Sequence, residues 1–286
     1  MQSPLVGTDW LGDHLGEPDL VVADVRWTLA DPEAGRKAYA TARIPGAVFL
    51  DLDAELADRS DLRRGRHPLP DPGRLVATLA GRGIGQGTQV VAYDDAGGSI
   101  AVRLWWMLRW IGADGMCSIL DGGIPKWIAE GRPLERDAPR SPPPPGVARP
   151  HPRPLRPSLH PELAVDAATV ARAAELGLIL LDARAPERYS GEIEPVDARA
   201  GHIPGAINAP WELNMTEDPP FVYRPPAELR GHYKALGVGN GDGGRVVCYC
   251  GSGVTSCHDV LALELAGIRG ARLYPGSWSE WVALHP

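Results

Sequence analysis

RVVCYCGSGVTSCHDVLALELAG, residues Arg245–Gly267, decides how the chain is read. Its short apolar start, rich in valine, reads as a buried strand. CGSG is a turn of small residues, and a helical stretch follows. Buried strands alternating with helices build parallel sheets, in which ligands bind beyond the carboxyl ends of the strands. Cys250 stands at such an end. A loop of small residues entering a helix turns several backbone N–H groups toward one point, and the positive helix end adds to them. An anion on the Cys250 sulfur is favoured there, and the thiolate is the nucleophilic form of the side chain. Gly251 and Gly253 let the backbone approach closely. The competing readings are a buried structural thiol and a metal ligand. Cys248, Cys250, Cys257 and His258 crowd together but lack the usual zinc-knuckle spacing, so no metal is expected. Cys117, Cys248 and Cys257 are expected to fill core.

The rest of the chain repeats itself. LVVADVRW (Leu20–Trp27) matches LILLDARA (Leu178–Ala185), and ARIPGAVFLD (Ala42–Asp51) matches GHIPGAINAP (Gly201–Pro210). QVVAYDDAGGSI (Gln89–Ile100) matches RVVCYCGSGVTS (Arg245–Ser256), and GGIPKW (Gly122–Trp127) matches GSWSEW (Gly276–Trp281). The offsets are 158, 159, 156 and 154 residues, in one order, which implies two domains of one fold. Eleven of the 29 prolines fall between Pro133 and Pro161, and proline suits neither packed helix nor central strand. The expected division is a first domain over 1–131, an extended linker over 132–160 and a second domain over 161–286. Each domain is expected to be α/β, a parallel sheet covered by helices on both faces. In the second, Asp166 is expected to cap the helix AATVARAAELG, and PPAELRGHYKALGV to form another.

With 44% apolar residues the chain can bury a core, and its formal net charge of −7 disfavours nucleic acid as a partner. No basic n-region precedes an apolar stretch, and no run approaches the ~20 apolar residues of a membrane span. The expectation is a cytoplasmic protein without membrane association, whose four cysteines stay reduced.

The loop Cys250–Ser256, with GHIPGAIN, DARAPERYSG and GSWSEW, resembles the tandem-domain rhodaneses, the thiosulfate and 3-mercaptopyruvate sulfurtransferases, over nearly the whole chain. The resemblance implies two rhodanese-like domains, no cofactor, and a sulfurtransferase in which Cys250 takes sulfane sulfur from a small anionic donor. A thiophilic acceptor, whether cyanide, a thiol or a small redox protein, then removes the sulfur from the Cys250 persulfide. It implies that the Gly251, Ser252, Gly253, Val254 and Thr255 backbone cradles that sulfur. Arg188 would bind the anionic end of the donor, a task a planar fork of donors suits. Arg184 would instead pair with Asp182. A further arginine of the mercaptopyruvate branch has no counterpart near Val196, and Arg199 is out of register. Gly251 and Ser252 resemble that branch nonetheless. A proton relay of the same branch maps onto Ser252, His67 and Asp53, with a solvent-facing loop histidine as the other reading of His67. Asp94 occupies the place of Cys250 in the first domain and cannot carry sulfane sulfur, so that domain is expected to be catalytically silent.

Two other classes compete with this reading. A Cys-x5-Arg phosphatase needs an arginine where Ser256 stands. A non-enzymatic sulfur-binding module would have no use for both Cys250 and Arg188.

Overall fold

A computed structural model describes residues 3–136 and 152–285. The centre of the expected linker, 137–151, lies outside the described residues. The chain divides into two compact units. The first comprises Met1–Ala57, Pro70–Leu159 and Asp218–Val222; the second comprises Asp58–Leu69, His160–Glu217 and Tyr223–Pro286.

The first unit runs β1 (Leu5–Val6), α1 (Thr8–His14), β2 (Leu20–Asp24), α2 (Ala34–Thr41), β3 (Val48–Phe49), α3 (Pro72–Gly81), β4 (Gln89–Tyr93), α4 (Ala101–Trp110), β5 (Cys117–Leu120) and α5 (Gly123–Ala129). Its sheet has the order β1-β5-β4-β2-β3, with every pairing parallel. β2 is buried throughout and β4 along all but its first residue, as strands covered on both faces must be. Trp105, Trp106 and Trp110 of α4 are all buried.

The second unit runs α6 (Ala167–Ala171), β6 (Ile179–Asp182), α7 (Pro186–Ser190), β7 (Ile207–Asn208), α8 (Pro226–Ala235), β8 (Val246–Tyr249), α9 (Ser256–Leu265), β9 (Arg272–Leu273) and α10 (Ser277–Leu284). Its parallel sheet, β7-β6-β8-β9, repeats the order of β3-β2-β4-β5. Where β1 pairs with β5 in the first unit, a single parallel bridge from Ala164 to Leu273 takes the edge. Asp166 caps α6 as expected, accepting from Thr169 N at 2.8 Å. The helix is shorter than its sequence pattern: it ends at Ala171, and turns lead to Gly177 in the left-handed region.

The repeat extends to buried polar groups. Arg26 grips Asp24 through Nε (3.0 Å) and Nη2 (2.6 Å), and Arg184 grips Asp182 with the same two distances. The second Nη2 contact also repeats, to Ala42 O in one unit and Gly201 O in the other. Tyr93 OH and Tyr249 OH accept from Ile44 N and Ile203 N. An arginine fork on a strand-end carboxylate thus ties each central strand to the IPGA turn. Removing one partner of such a buried pair leaves an uncompensated charge, at about 3–5 kcal/mol.

Behind the loop of the second unit, α9 carries three buried polar side chains, Ser256, His258 and Asp259. His258 stacks on Tyr223, with ring centroids 4.3 Å apart. Asp259 Oδ1 accepts from Asn214 Nδ2 at 2.7 Å and from Tyr233 OH at 3.4 Å, while its Oδ2 has no partner among the described residues. Burial pushes the Asp259 carboxyl well above the ordinary range, against the opposing hydrogen bonds. A carboxyl held high favours folding below its unfolded value, and that contribution is lost as pH rises through the folded one. Asp259→Asn, neutral at every pH, is expected to unfold at a midpoint several degrees above wild type at pH 8 and to converge with it near pH 4. Parallel melting curves across that range would show the carboxyl to be ionised in the fold.

Candidate active site

Cys250 lies just beyond β8, 4% exposed, and its Sγ accepts from Gly253 N at 3.2 Å. The loop turns back because Gly253 adopts φ +76, and a Cβ there would stand 2.3 Å from Pro275 O. No side chain fits that position. Val254 and Thr255 lead into α9, whose first turn is started by Cys257 N to Val254 O and His258 N to Thr255 O.

The start of α10 braces the same loop. Cys250 N donates to Ser277 Oγ at 3.1 Å; Trp278 N and Ser279 N donate to Cys250 O and Gly251 O, both at 3.0 Å. Ser277 is buried at φ +53, a left-handed conformation that costs a non-glycine residue about 1–3 kcal/mol. Its hydroxyl closes the turn by donating to Tyr274 O at 2.9 Å.

The other cysteines are buried, as expected of core residues. Burial drives the Cys248 and Cys117 thiols far up, which keeps them protonated. His202 stacks on Tyr189 and its Nδ1 lies 2.8 Å from Tyr189 O, a turn-stabilising role.

Arg188, near the end of α7, contacts two nearly buried carboxylates through Nη2: Glu194 Oε1 at 2.8 Å and Asp197 Oδ2 at 3.1 Å. Burial opposes ionisation of Glu194, but the Arg188 hydrogen bond and its companions outweigh it and hold the carboxyl low. Arg184 pairs with Asp182, as the sequence implied, and also reaches Glu194. Arg199 lies out of this cluster, its Nη1 on His285 O and its plane over Trp278.

The segment 58–69 belongs to this unit although it comes from the first half of the sequence. It brings His67 to Ser252: Nδ1 lies 2.8 Å from Oγ, with His67 only 2% exposed. His67 is therefore not a solvent-facing loop residue. Asp53, the third member of the mapped relay, belongs to the first unit, where its Oδ2 accepts from Trp27 Nε1 at 3.2 Å.

Sequence reasoning missed Arg66, Glu194 and Asp197. Arg66 Nη1 donates to Asp197 Oδ1 at 2.7 Å, across 131 positions of sequence. A Cβ on Gly251 would stand 2.8 Å from Arg66 Nη2 and 3.6 Å from Arg188 Nη1. The only local signal for Arg66 was its place beside His67 in RHPLP.

The first unit shows what this loop does with an anion. Asp94 Oδ1 accepts from Ala96 N (2.9 Å) and Gly98 N (2.8 Å), and Oδ2 from Ile100 N (2.8 Å) and Ala101 N (2.9 Å). Four main-chain amides converge on one buried carboxylate at the position equivalent to Cys250.

Similarity to known proteins agrees with this geometry. The rhodanese-like domain model matches residues 7–130 and 166–284. The chain is 43% identical to a probable 3-mercaptopyruvate sulfurtransferase of Pseudomonas aeruginosa, over 97% of this chain and 94% of that one. It is 42% identical to a putative thiosulfate sulfurtransferase, SseB, of Mycobacterium tuberculosis, over 93% of this chain and 88% of that one. The crystal structure of SseA from Escherichia coli, which presents the rhodanese fold of 3-mercaptopyruvate sulfotransferases, matches with a TM-score of 0.78 and 30% identity, covering 97% and 99% of the two chains. With both halves matched, the chain belongs to the rhodanese family, as a two-domain sulfurtransferase.

Proposed function

We propose that Cys250 carries the transferred sulfur, that Arg188 receives the anionic end of the donor, and that 3-mercaptopyruvate is the preferred donor. The observation that carries the reading is the Cys250 sulfur at the carboxyl end of β8, receiving the Gly253 amide in a loop whose sister loop collects four amides on one anion. The thiolate attacks the donor sulfur, the S–C bond breaks, and its electron pair leaves as the pyruvate enolate, which takes up a proton. The outer sulfur of the resulting persulfide is anionic and lies in the amide cradle of residues 251–255. Cyanide or a thiolate then attacks that sulfur, and the Cys250 thiolate departs, ready for another cycle. The acceptor in the cell is a thiol or a small redox protein, and four cysteines free of disulfides fit a cytoplasmic location.

The Ser252–His67 pair favours mercaptopyruvate over thiosulfate. A hydroxyl hydrogen-bonded to an imidazole beside the nucleophile can deliver a proton to an enolate. Sulfite, the leaving group of thiosulfate, needs none. The first domain is proposed to be catalytically silent, since a carboxylate fills its cradle.

Intact mass tests the carrier: wild type treated with donor gains one sulfur, about 32 Da, and loses it on adding cyanide. The expected kcat/KM for 3-mercaptopyruvate exceeds that for thiosulfate by at least about tenfold; the opposite order would reverse the assignment of donor. Arg188→Ala is expected to raise KM for either donor by about 10–100-fold with a smaller change in kcat. An unchanged KM would remove Arg188 from the donor site.

A further inference from the structure

The two units differ most at one sheet edge. In the first, Val91 of β4 pairs with Ser118 of β5; in the second, the matching pair is Val247 of β8 and Arg272 of β9. Ser118 is fully buried, and its hydroxyl closes the edge by donating to Ser3 O at 2.6 Å. The residue that stands in the place of Ser3 is Glu162, since Leu5 and Ala164 make the equivalent edge contacts, to Ile119 and to Leu273. A serine held by a main-chain carbonyl has thus been replaced by an arginine facing a carboxylate-bearing segment.

A cavity of about 660 Å³ opens there, within the usual range for small-ligand sites. Arg272 lines it together with Gly244 and Gly270, from the turns that enter β8 and β9, and with Glu162, Asp166 and Thr169 from the segment around the Ala164 bridge. A Cβ on Gly244 would meet nothing within 4 Å, so the main chain is open at that point. Arg272 Nε is buried and has no hydrogen-bond partner among the described residues. The two carboxylates are turned to other groups. Glu162 Oε1 lies 2.8 Å from His160 Nδ1, and Asp166 Oδ1 accepts from Thr169 N. A buried donor without an acceptor is costly, more so on a charged group, so the arginine is arranged for an acceptor from outside.

We infer that this cavity is a binding site for a small zwitterion of the amino-acid or short-peptide class, its carboxylate in the Arg272 fork and its ammonium at Glu162 and Asp166. A bare anion would face two carboxylates, and a bare cation would face the guanidinium. A ligand carrying both charges complements both, and a planar fork suits a carboxylate in particular. The cavity lies beside the turns that enter β8 and β9, whereas Cys250 follows the carboxyl end of β8, so this site is separate from the sulfur chemistry.

The test is amide NMR of the full chain titrated with L-alanyl-L-alanine, which carries both charges. N-acetyl-L-alanine keeps only the carboxylate, and L-alaninamide keeps only the ammonium. The dipeptide is expected to shift the Gly244, Gly270 and Thr169 amides saturably, with a dissociation constant of about 1 mM or below. Each single-charge compound is expected to bind at least about tenfold more weakly. Arg272→Gln is expected to weaken the dipeptide at least about tenfold, and Arg272→Lys to fall between, because a point charge replaces a fork. The spectrum away from the cavity reports whether each variant is folded, and the wild-type arms stand without either variant. The inference is overturned by no saturable shift at those amides up to about 10 mM dipeptide. It is equally overturned by N-acetyl-L-alanine binding as tightly as the dipeptide, which would mark a site for anions alone, or by undiminished binding in a folded Arg272→Gln.

Discussion

Cys250→Ser is expected to gain no mass from either donor and to lose thiocyanate formation by at least about a thousandfold. The size of the effect follows from the chemistry: covalent catalysis divides one difficult transfer into two, and a hydroxyl cannot hold sulfane sulfur. The fold should survive, because serine keeps the shape of the side chain, and its oxygen can still accept from Gly253 N. The backbone contacts of residue 250 to Ser277 and Trp278 do not involve the side chain. Unchanged melting with no sulfur uptake therefore separates chemistry from folding. Cys248, Cys257 and Cys117 serve as internal controls, since all three are buried. Sulfur uptake by the Cys250→Ser variant would move the nucleophile elsewhere.

Asp94→Ala is expected to do the reverse, damaging stability and sparing the chemistry. The Asp94 carboxylate accepts from four amides, and alanine leaves all four without this acceptor. Orphaned buried donors cost about 1–3 kcal/mol each, and relaxation makes the sum less than additive, so a loss of about 3–5 kcal/mol in the first unit is expected. Asp94→Asn rescues only partly, because an amide offers one acceptor oxygen to one pair of donors and turns an NH2 group toward the other. Urea unfolding reports the loss. Turnover per folded molecule, measured at low temperature where the variant is native, should stay near wild type. A large fall in that specific rate with the fold intact would contradict a silent first domain.

Much of this could be read from the chain itself. Four repeated segments at near-constant offset required two copies of one fold, and apolar strands such as Leu20–Asp24 and Val246–Tyr249 required a parallel sheet. These are local signals: periodicity, burial pattern and glycine positions act over a few residues, so sequence carries them directly. The Asp182–Arg184 pair was legible for the same reason, being two residues apart. The short α6 was not, because its pattern continued past Ala171 while the turn at Gly177 ended the helix early.

The sequence by itself determined the repeat, the sheet class and the place of Cys250 at a strand end, since each depends on neighbours along the chain. Only the tertiary structure decided which side chains surround that sulfur. Arg66 and His67 reach Asp197 and Ser252 from more than a hundred residues away because segment 58–69 packs with the second unit. The Gly65 backbone seated on Gly276 holds it there. Contacts made by long-range packing leave no spacing in the sequence, and that is why the partners of Arg66 and His67 could not be read from it.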